Sequence, residues 1–194
     1  MKKTWLISFN AITLLAWVLF VVYTGVHGFR FDGQSIIMLA FAQGLAIFEV
    51  TNSIFKLAGA NWVFTALQVG SRCLVVIVLW LLPRDLVADL GVYSGFFLVS
   101  MTWGITEIIR AAFYLSELFE KRIPGLLWMR YTFFIVLYPI GVLGEFMVMF
   151  SFIEWREFNH DLINVGLGII ALLYVVFFPK LYRHMFLQRK KKLA

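Results

Sequence analysis

Residues 126–153 read LLWMRYTFFIVLYPIGVLGEFMVMFSFI. The run exceeds the ~20 apolar residues that carry an α-helix across hydrocarbon, and only Arg130 and Glu145 in it are charged. A membrane-spanning helix is the reading that follows. A carboxyl group at such depth is expensive and needs a reason. Glu145 follows Tyr138 by seven residues. At 100° per residue the two side chains share one helix face to within ~20°. Between them lie Pro139, Gly141 and Gly144. Pro139 removes an amide donor and leaves backbone carbonyls near position 135 without a partner. The glycines remove side chains beside it. The segment fits a kinked helix with a space between two proton-transfer groups. It equally fits a small-residue packing face.

The rest of the chain agrees with the membrane reading. The protein has 194 residues, 62% hydrophobic and only 14% charged, with a mean hydropathy of +0.88. A soluble domain is nearer ~25% charged. Seven Trp and 21 Phe suit lipid-facing and interfacial surfaces. The net charge of +6 is not a nucleic-acid signature, because the basic residues gather at segment ends and in the tail. Residues 4–26 carry no charge. That is too long for the ~7–15-residue core of a signal peptide, and an uncleaved first helix is expected.

Six apolar stretches are visible, at about 4–26, 36–58, 62–82, 92–115, 126–153 and 162–183. Turn residues or charges separate them, at Gly28 to Gly33, Gly59-Ala60-Asn61, Pro83-Arg84-Asp85, Glu117 to Gly125, and Glu154 to Asp161. The expected fold is therefore all-α, a polytopic six-transmembrane-helix bundle forming one membrane-embedded domain over residues 1–194. Lysine and arginine set its orientation. Lys2, Lys3, Lys56, Lys121, Arg122, Arg189, Lys190, Lys191 and Lys192 fall on one side, and Arg30, Arg84 and Arg156 on the other. This imbalance predicts that both termini are cytoplasmic.

Further charges lie inside the spans. Helix 2 carries Glu49, Asn52 and Lys56, which can line one inward face. Helix 3 carries Gln68 and Arg72, and helix 4 carries Glu107 and Arg110. Such groups face the bundle interior and pair with one another. Glu107 and Arg110 are spaced to pair within their own helix. Arg72 needs a partner from another helix, for which Glu49 is a candidate. Glu145 has no basic residue within a turn or two on its own helix. A carboxyl in that setting is a candidate acid, with Tyr138 as a second proton-transfer group. Structural readings stand beside this one: Glu145 paired with an arginine from another helix, and Tyr138 hydrogen-bonded across the bundle.

Four segments carry a resemblance. Leu137-Tyr-Pro-Ile-Gly-Val-Leu-Gly-Glu145, Gln68-Val-Gly-Ser-Arg72, Thr106-Glu-Ile-Ile-Arg110 and Arg130-Tyr-Thr-Phe-Phe134 resemble the very-long-chain 3-hydroxyacyl-CoA dehydratases, also called protein-tyrosine-phosphatase-like proteins. The matches come in the family's order over helices 2 to 5. The chain is shorter than typical eukaryotic members, above all between helices 5 and 6. The resemblance implies that Tyr138 and Glu145 are the catalytic pair and that Arg72, Arg130 and Gly141 support the site. It does not imply phosphatase chemistry, which needs a cysteine thiolate in a Cys-x5-Arg cradle. The only cysteine, Cys73, lies in an apolar helix and is followed six residues later by Leu79.

The implied reaction removes water from a long-chain 3-hydroxyacyl-CoA during fatty acid elongation and yields a trans-2-enoyl-CoA. It needs a base for the C2 proton and an acid for the departing C3 hydroxyl, and neither a metal nor a redox cofactor. Tyr138 lies twelve residues beyond Leu126, or ~18 Å along a helix, about the reach of a pantetheine arm. Lys121, Arg122 and the basic tail would then meet the CoA phosphates, while the acyl chain continues between helices. The expected partners are this substrate, the lipid bilayer and other elongation enzymes, with no nucleic acid. Two other functions compete. A transporter would use Glu49, Glu107 and Glu145 as an ion path, although no inverted repeat is visible. A non-catalytic scaffold would use none of them. The tail carries Lys191 and Lys192 at the fourth and third positions from the end. This matches a dilysine signal for the endoplasmic reticulum, and ordinary positive-inside charge explains it equally well. The expected location is the endoplasmic reticulum membrane in a eukaryote and the inner membrane in a bacterium.

Overall fold

A computed structural model describes residues 2–57, 62–83, 90–121, 123–157 and 162–193. Arg84, Arg122 and Asp161, and the turn expected at 59–61, lie outside the described residues. The described residues form helices and turns, with no strand among them. The elements are α1 (Lys2–Val26), α2 (Gly33–Gly44), α3 (Ile47–Ile54), α4 (Trp62–Leu81), α5 (Leu90–Leu118), α6 (Pro124–Thr132), α7 (Phe134–Trp155) and α8 (Leu162–Leu193). Six spans are long and apolar enough to cross a membrane: α1, α2 with α3, α4, α5, α7 and α8. The described residues form an all-α membrane bundle with six such spans.

α5 is the central helix and packs most extensively against α7 and α1. The core between these helices and their neighbours holds Trp17, Phe20, Leu39, Leu79, Phe96, Val148 and Phe152. α5 and α7 come unusually close where two glycines meet. A Cβ on Gly144 would lie 2.8 Å from Leu98 Cβ and 3.1 Å from the Gly95 carbonyl oxygen, and one on Gly95 would lie 3.0 Å from Val148 N. With no hydrophobic drive in lipid to bring helices together, such close van der Waals approach does much of the joining. Gly144 therefore belongs to a packing face.

The α1–α2 turn is closed locally. Gly28 and Phe29 take positive φ, and Asp32 caps α2 by accepting from Ser35 N at 2.7 Å while Ser35 Oγ accepts from Asp32 N at 3.1 Å. Tyr93 donates to the Gly28 carbonyl at 3.1 Å and joins this turn to the start of α5. At the opposite end, Lys3 pairs with Glu120 at 2.9 Å, and Trp5 donates to Asn52 at 2.9 Å. The N-terminus, the end of α3 and the end of α5 thus share one end of the bundle.

Three spans differ from the sequence expectation. The second divides at Leu45–Ala46 into α2 and α3, just after Gly44, and α3 stops at Ile54, so Lys56 lies outside the helix with positive φ. The fifth, expected as one helix, is interrupted at Phe133, and α7 runs on through Pro139. α6 is held against α5 by Arg130, which donates to the Tyr114 hydroxyl at 2.8 Å and lies 5.1 Å from the Phe113 ring centroid. This docking, rather than a local breaker, separates α6 from α7. The last helix continues to Leu193, ten residues past the apolar run. Lys and Arg end hydropathy but favour helix. At 1.5 Å per residue α8 is about 48 Å long, more than the ~30 Å of hydrocarbon, so its basic end projects beyond it.

Candidate active site

The intramembrane charges assemble around α5. Glu107 accepts from Arg72 at 2.5 Å and pairs with Arg110 at 2.5 Å. Arg110 reaches on to Glu49 with both terminal nitrogens, one of them at 2.6 Å. The pairing expected within α5 is present. The partner of Arg72 is Glu107 rather than Glu49, because Arg110 takes both Glu49 oxygens. Two acids and two arginines balance each other and tie α3, α4 and α5 together, as buried charges require.

Arg72 also faces a cavity of about 130 Å³. Its guanidinium lies 4.3 Å from the centroid of the Trp103 ring and 5.7 Å from that of Trp17. One nitrogen serves Glu107, while Nε and Nη2 are buried without a hydrogen-bond partner among the described residues. Tyr138, Gly141 and Glu145 line the same cavity from α7, Thr102 and Trp103 from α5, Ser71 from α4, and Tyr174 and Met185 from α8. Gly141 is needed here. A Cβ at that position would approach Thr102 Oγ1 to 3.0 Å, on the cavity wall.

Glu145 is buried, at 6% exposure, and among the described residues no arginine pairs with it. Its Oε1 accepts from Trp103 Nε1 at 3.0 Å and its Oε2 from the Tyr174 hydroxyl at 2.5 Å. Tyr138 stacks face to face on Phe178, with centroids 5.1 Å apart and planes 8° apart. Among the described residues its hydroxyl makes no hydrogen bond. Tyr182 donates at 2.8 Å to the Ile135 carbonyl, the acceptor that Pro139 leaves open.

Of the residues singled out in the sequence, Arg72, Tyr138, Gly141 and Glu145 meet at one cavity. Arg130 does not line it and sits instead among Phe113, Tyr114 and Tyr131. Lys121 is exposed beyond the end of α5, and Arg122 lies outside the described residues. Sequence reasoning missed Trp103 and Tyr174. Both carry a polar N–H or O–H in mid-span, away from the interfacial belts where Trp and Tyr gather, and a buried hydroxyl or indole N–H usually finds a partner. That was the available signal.

The fold and the cavity define a class: a helical membrane protein with a carboxyl, a phenol and a guanidinium gathered in a buried pocket. The model of the family "Protein tyrosine phosphatase-like protein, PTPLA" matches residues 43–194, and the chain belongs to that family. It is 32% identical to the very-long-chain (3R)-3-hydroxyacyl-CoA dehydratase of Caenorhabditis elegans, over 99% of this chain and 95% of that one. Very-long-chain (3R)-3-hydroxyacyl-CoA dehydratase 2 of Mus musculus is 32% identical over 80% of this chain and 65% of its own length. A probable dehydratase of the same kind from Schizosaccharomyces pombe is 30% identical over 98% of this chain and 93% of its own. No solved structure matches the chain.

Proposed function

We propose that this chain is a 3-hydroxyacyl-CoA dehydratase of fatty acid elongation and that the whole of it forms one membrane-embedded catalytic unit. The observation that carries the reading is the convergence of Tyr138, Glu145 and Arg72 on one buried cavity. The relatives named above share the activity by name. Glu145 is the base that takes a proton from C2. The electrons of that C–H bond form the C2=C3 double bond, and the C3–O bond breaks. Tyr138 gives its proton to the departing hydroxyl, which leaves as water. Two features support this assignment. Both oxygens of Glu145 already act as acceptors, and the Tyr138 hydroxyl is a donor without an acceptor among the described residues. Arg72 has Nε and Nη2 to offer the thioester carbonyl, where charge grows as the C2 proton leaves. Gly141 keeps the space open beside Thr102.

The CoA moiety enters from the end of the bundle that carries the α8 tail. Phe134 and Met185 line the cavity there, and Lys190, Lys191 and Lys192 follow on the same helix. Lys121 and Arg122 add positive charge for its phosphates, and the acyl chain lies among apolar side chains. Arg130 supports the site by fixing α6. In this reading both termini are cytoplasmic, the membrane is that of the endoplasmic reticulum if the source is eukaryotic, and other elongation enzymes pass on the substrate and take the product. A tag on either terminus that is reached only from the far side of the membrane contradicts the orientation.

The experiment is turnover. Purified protein in nanodiscs, given 3-hydroxyacyl-CoA of increasing chain length, forms enoyl-CoA. Ion flux in liposomes without enoyl-CoA formation would replace this reading with a transporter. Neither activity would leave a scaffold.

A further inference from the structure

One stripe of α8 faces the reactive stretch of α7. Tyr174, Phe178 and Tyr182 recur at four-residue spacing, so they share a helix face. All three meet α7, and Phe178 and Tyr182 both stack on the Tyr138 ring. Tyr174 donates to Glu145, Phe178 stacks on the Tyr138 ring, and Tyr182 donates to the Ile135 carbonyl. α8 otherwise packs sparingly, with few of its residues buried in the bundle.

The contact to Glu145 is the most specific of the three. A glutamate side chain has several rotatable bonds and, unheld, would spread over many orientations in the cavity. Here it is held from two sides. Trp103, on α5, is itself fixed by the Arg72 guanidinium on its face, and Arg72 is anchored to Glu107. Tyr174 approaches from α8, with its ring 5.7 Å from Phe146 and its hydroxyl 2.5 Å from Oε2. Proton abstraction from carbon demands a short, aligned approach, and an error of about 1 Å can cost ~10² in rate.

We propose that Tyr174 is a positioning residue for Glu145, fixing the carboxyl from the α8 side while Trp103 fixes it from α5. The proposal rests on the dehydratase reading. Tyr174 acts through Glu145 and exchanges no proton with substrate. α8 thereby becomes part of the site, and a chain lacking that helix would keep the Tyr138–Glu145 element yet leave the carboxyl held from the α5 side alone.

The test pairs kinetics with a readout that needs no turnover. The infrared band of the Glu145 carboxyl is identified by its disappearance in Glu145→Gln. In Tyr174→Phe, which keeps the ring, that band shifts, and kcat falls about tenfold to a hundredfold with KM within about twofold. Replacing Tyr174 by 3-fluorotyrosine keeps size and folding and makes the hydroxyl a stronger donor, so the band shifts the other way. This second variant decides the matter if Tyr174→Phe fails to fold. A band that stays in place in both variants, or a folded Tyr174→Phe with wild-type kcat, overturns the proposal alone. A wild-type protein that converts no 3-hydroxyacyl-CoA overturns the dehydratase reading, and the proposal with it, whatever the band does.

Discussion

The Tyr182 hydroxyl sits 2.8 Å from the Ile135 carbonyl oxygen, in the place where the amide of residue 139 would donate if that residue were not proline. The vacancy made by Pro139 is filled by a side chain from another helix. Removing the hydroxyl in Tyr182→Phe should cost about 1 kcal/mol of stability. In a Pro139→Ala background, where an amide can return to Ile135, the same change should cost distinctly less. Thermal unfolding of the four proteins of this cycle in one detergent checks it, and equal costs in both backgrounds would show that the two groups do not share the carbonyl.

The α5–α7 crossing depends on having no side chain at Gly144. A Cβ there would press on Leu98 and on α5 backbone at 3.1 Å or less. Backbone cannot step aside cheaply, so Gly144→Ala should destabilise by about 1–3 kcal/mol. Gly166→Ala, where the added carbon meets nothing within 4 Å beyond its chain neighbours and the nearby backbone of its own helix, should be nearly neutral. A melting comparison of the two variants checks this.

The two arginines named from sequence should now behave differently. Arg72→Ala strands Glu107 from one of its two cations and frees the Trp103 face. Loss of one partner of a buried pair costs about 3–5 kcal/mol, and the folded fraction should also lose turnover, because Arg72 lines the cavity. Arg130→Ala removes a contact outside the cavity. It should lower the yield of folded protein while leaving kcat per folded molecule within a few fold of wild type. Size-exclusion yield, measured alongside specific activity, separates the two effects. An Arg130→Ala protein that is fully folded and inactive would put Arg130 at the site.

These differences indicate what a single sequence can and cannot carry. The six spans were legible because hydropathy over twenty residues is a strong signal. The open carbonyl near 135 was legible because a proline's missing amide is a covalent fact. The Glu107–Arg110 pair was legible because helix spacing alone sets it. The partner of Arg72 was not, since pairing between helices depends on their relative rotation. The interruption at Phe133 carries no glycine or proline and arises where α6 docks on α5. Trp103 and Tyr174 lie 42 and 29 residues from Glu145 in the chain, so nothing local ties them to it.

The measurement that bears most directly on the account is single-mutant turnover of the reactive pair. Tyr138→Phe removes one hydroxyl that holds no other group in place among the described residues, and Glu145→Gln keeps the shape of the side chain while removing the titrating proton. With each variant folded and detergent-stable, kcat for enoyl-CoA formation from purified 3-hydroxyacyl-CoA should fall by about a hundredfold or more. The double variant should be little worse than the poorer single one, because groups that act as a unit are strongly non-additive. Near-normal turnover in either single variant would show that the residue is not an essential proton-transfer group, and near-normal turnover in both would contradict the mechanism itself.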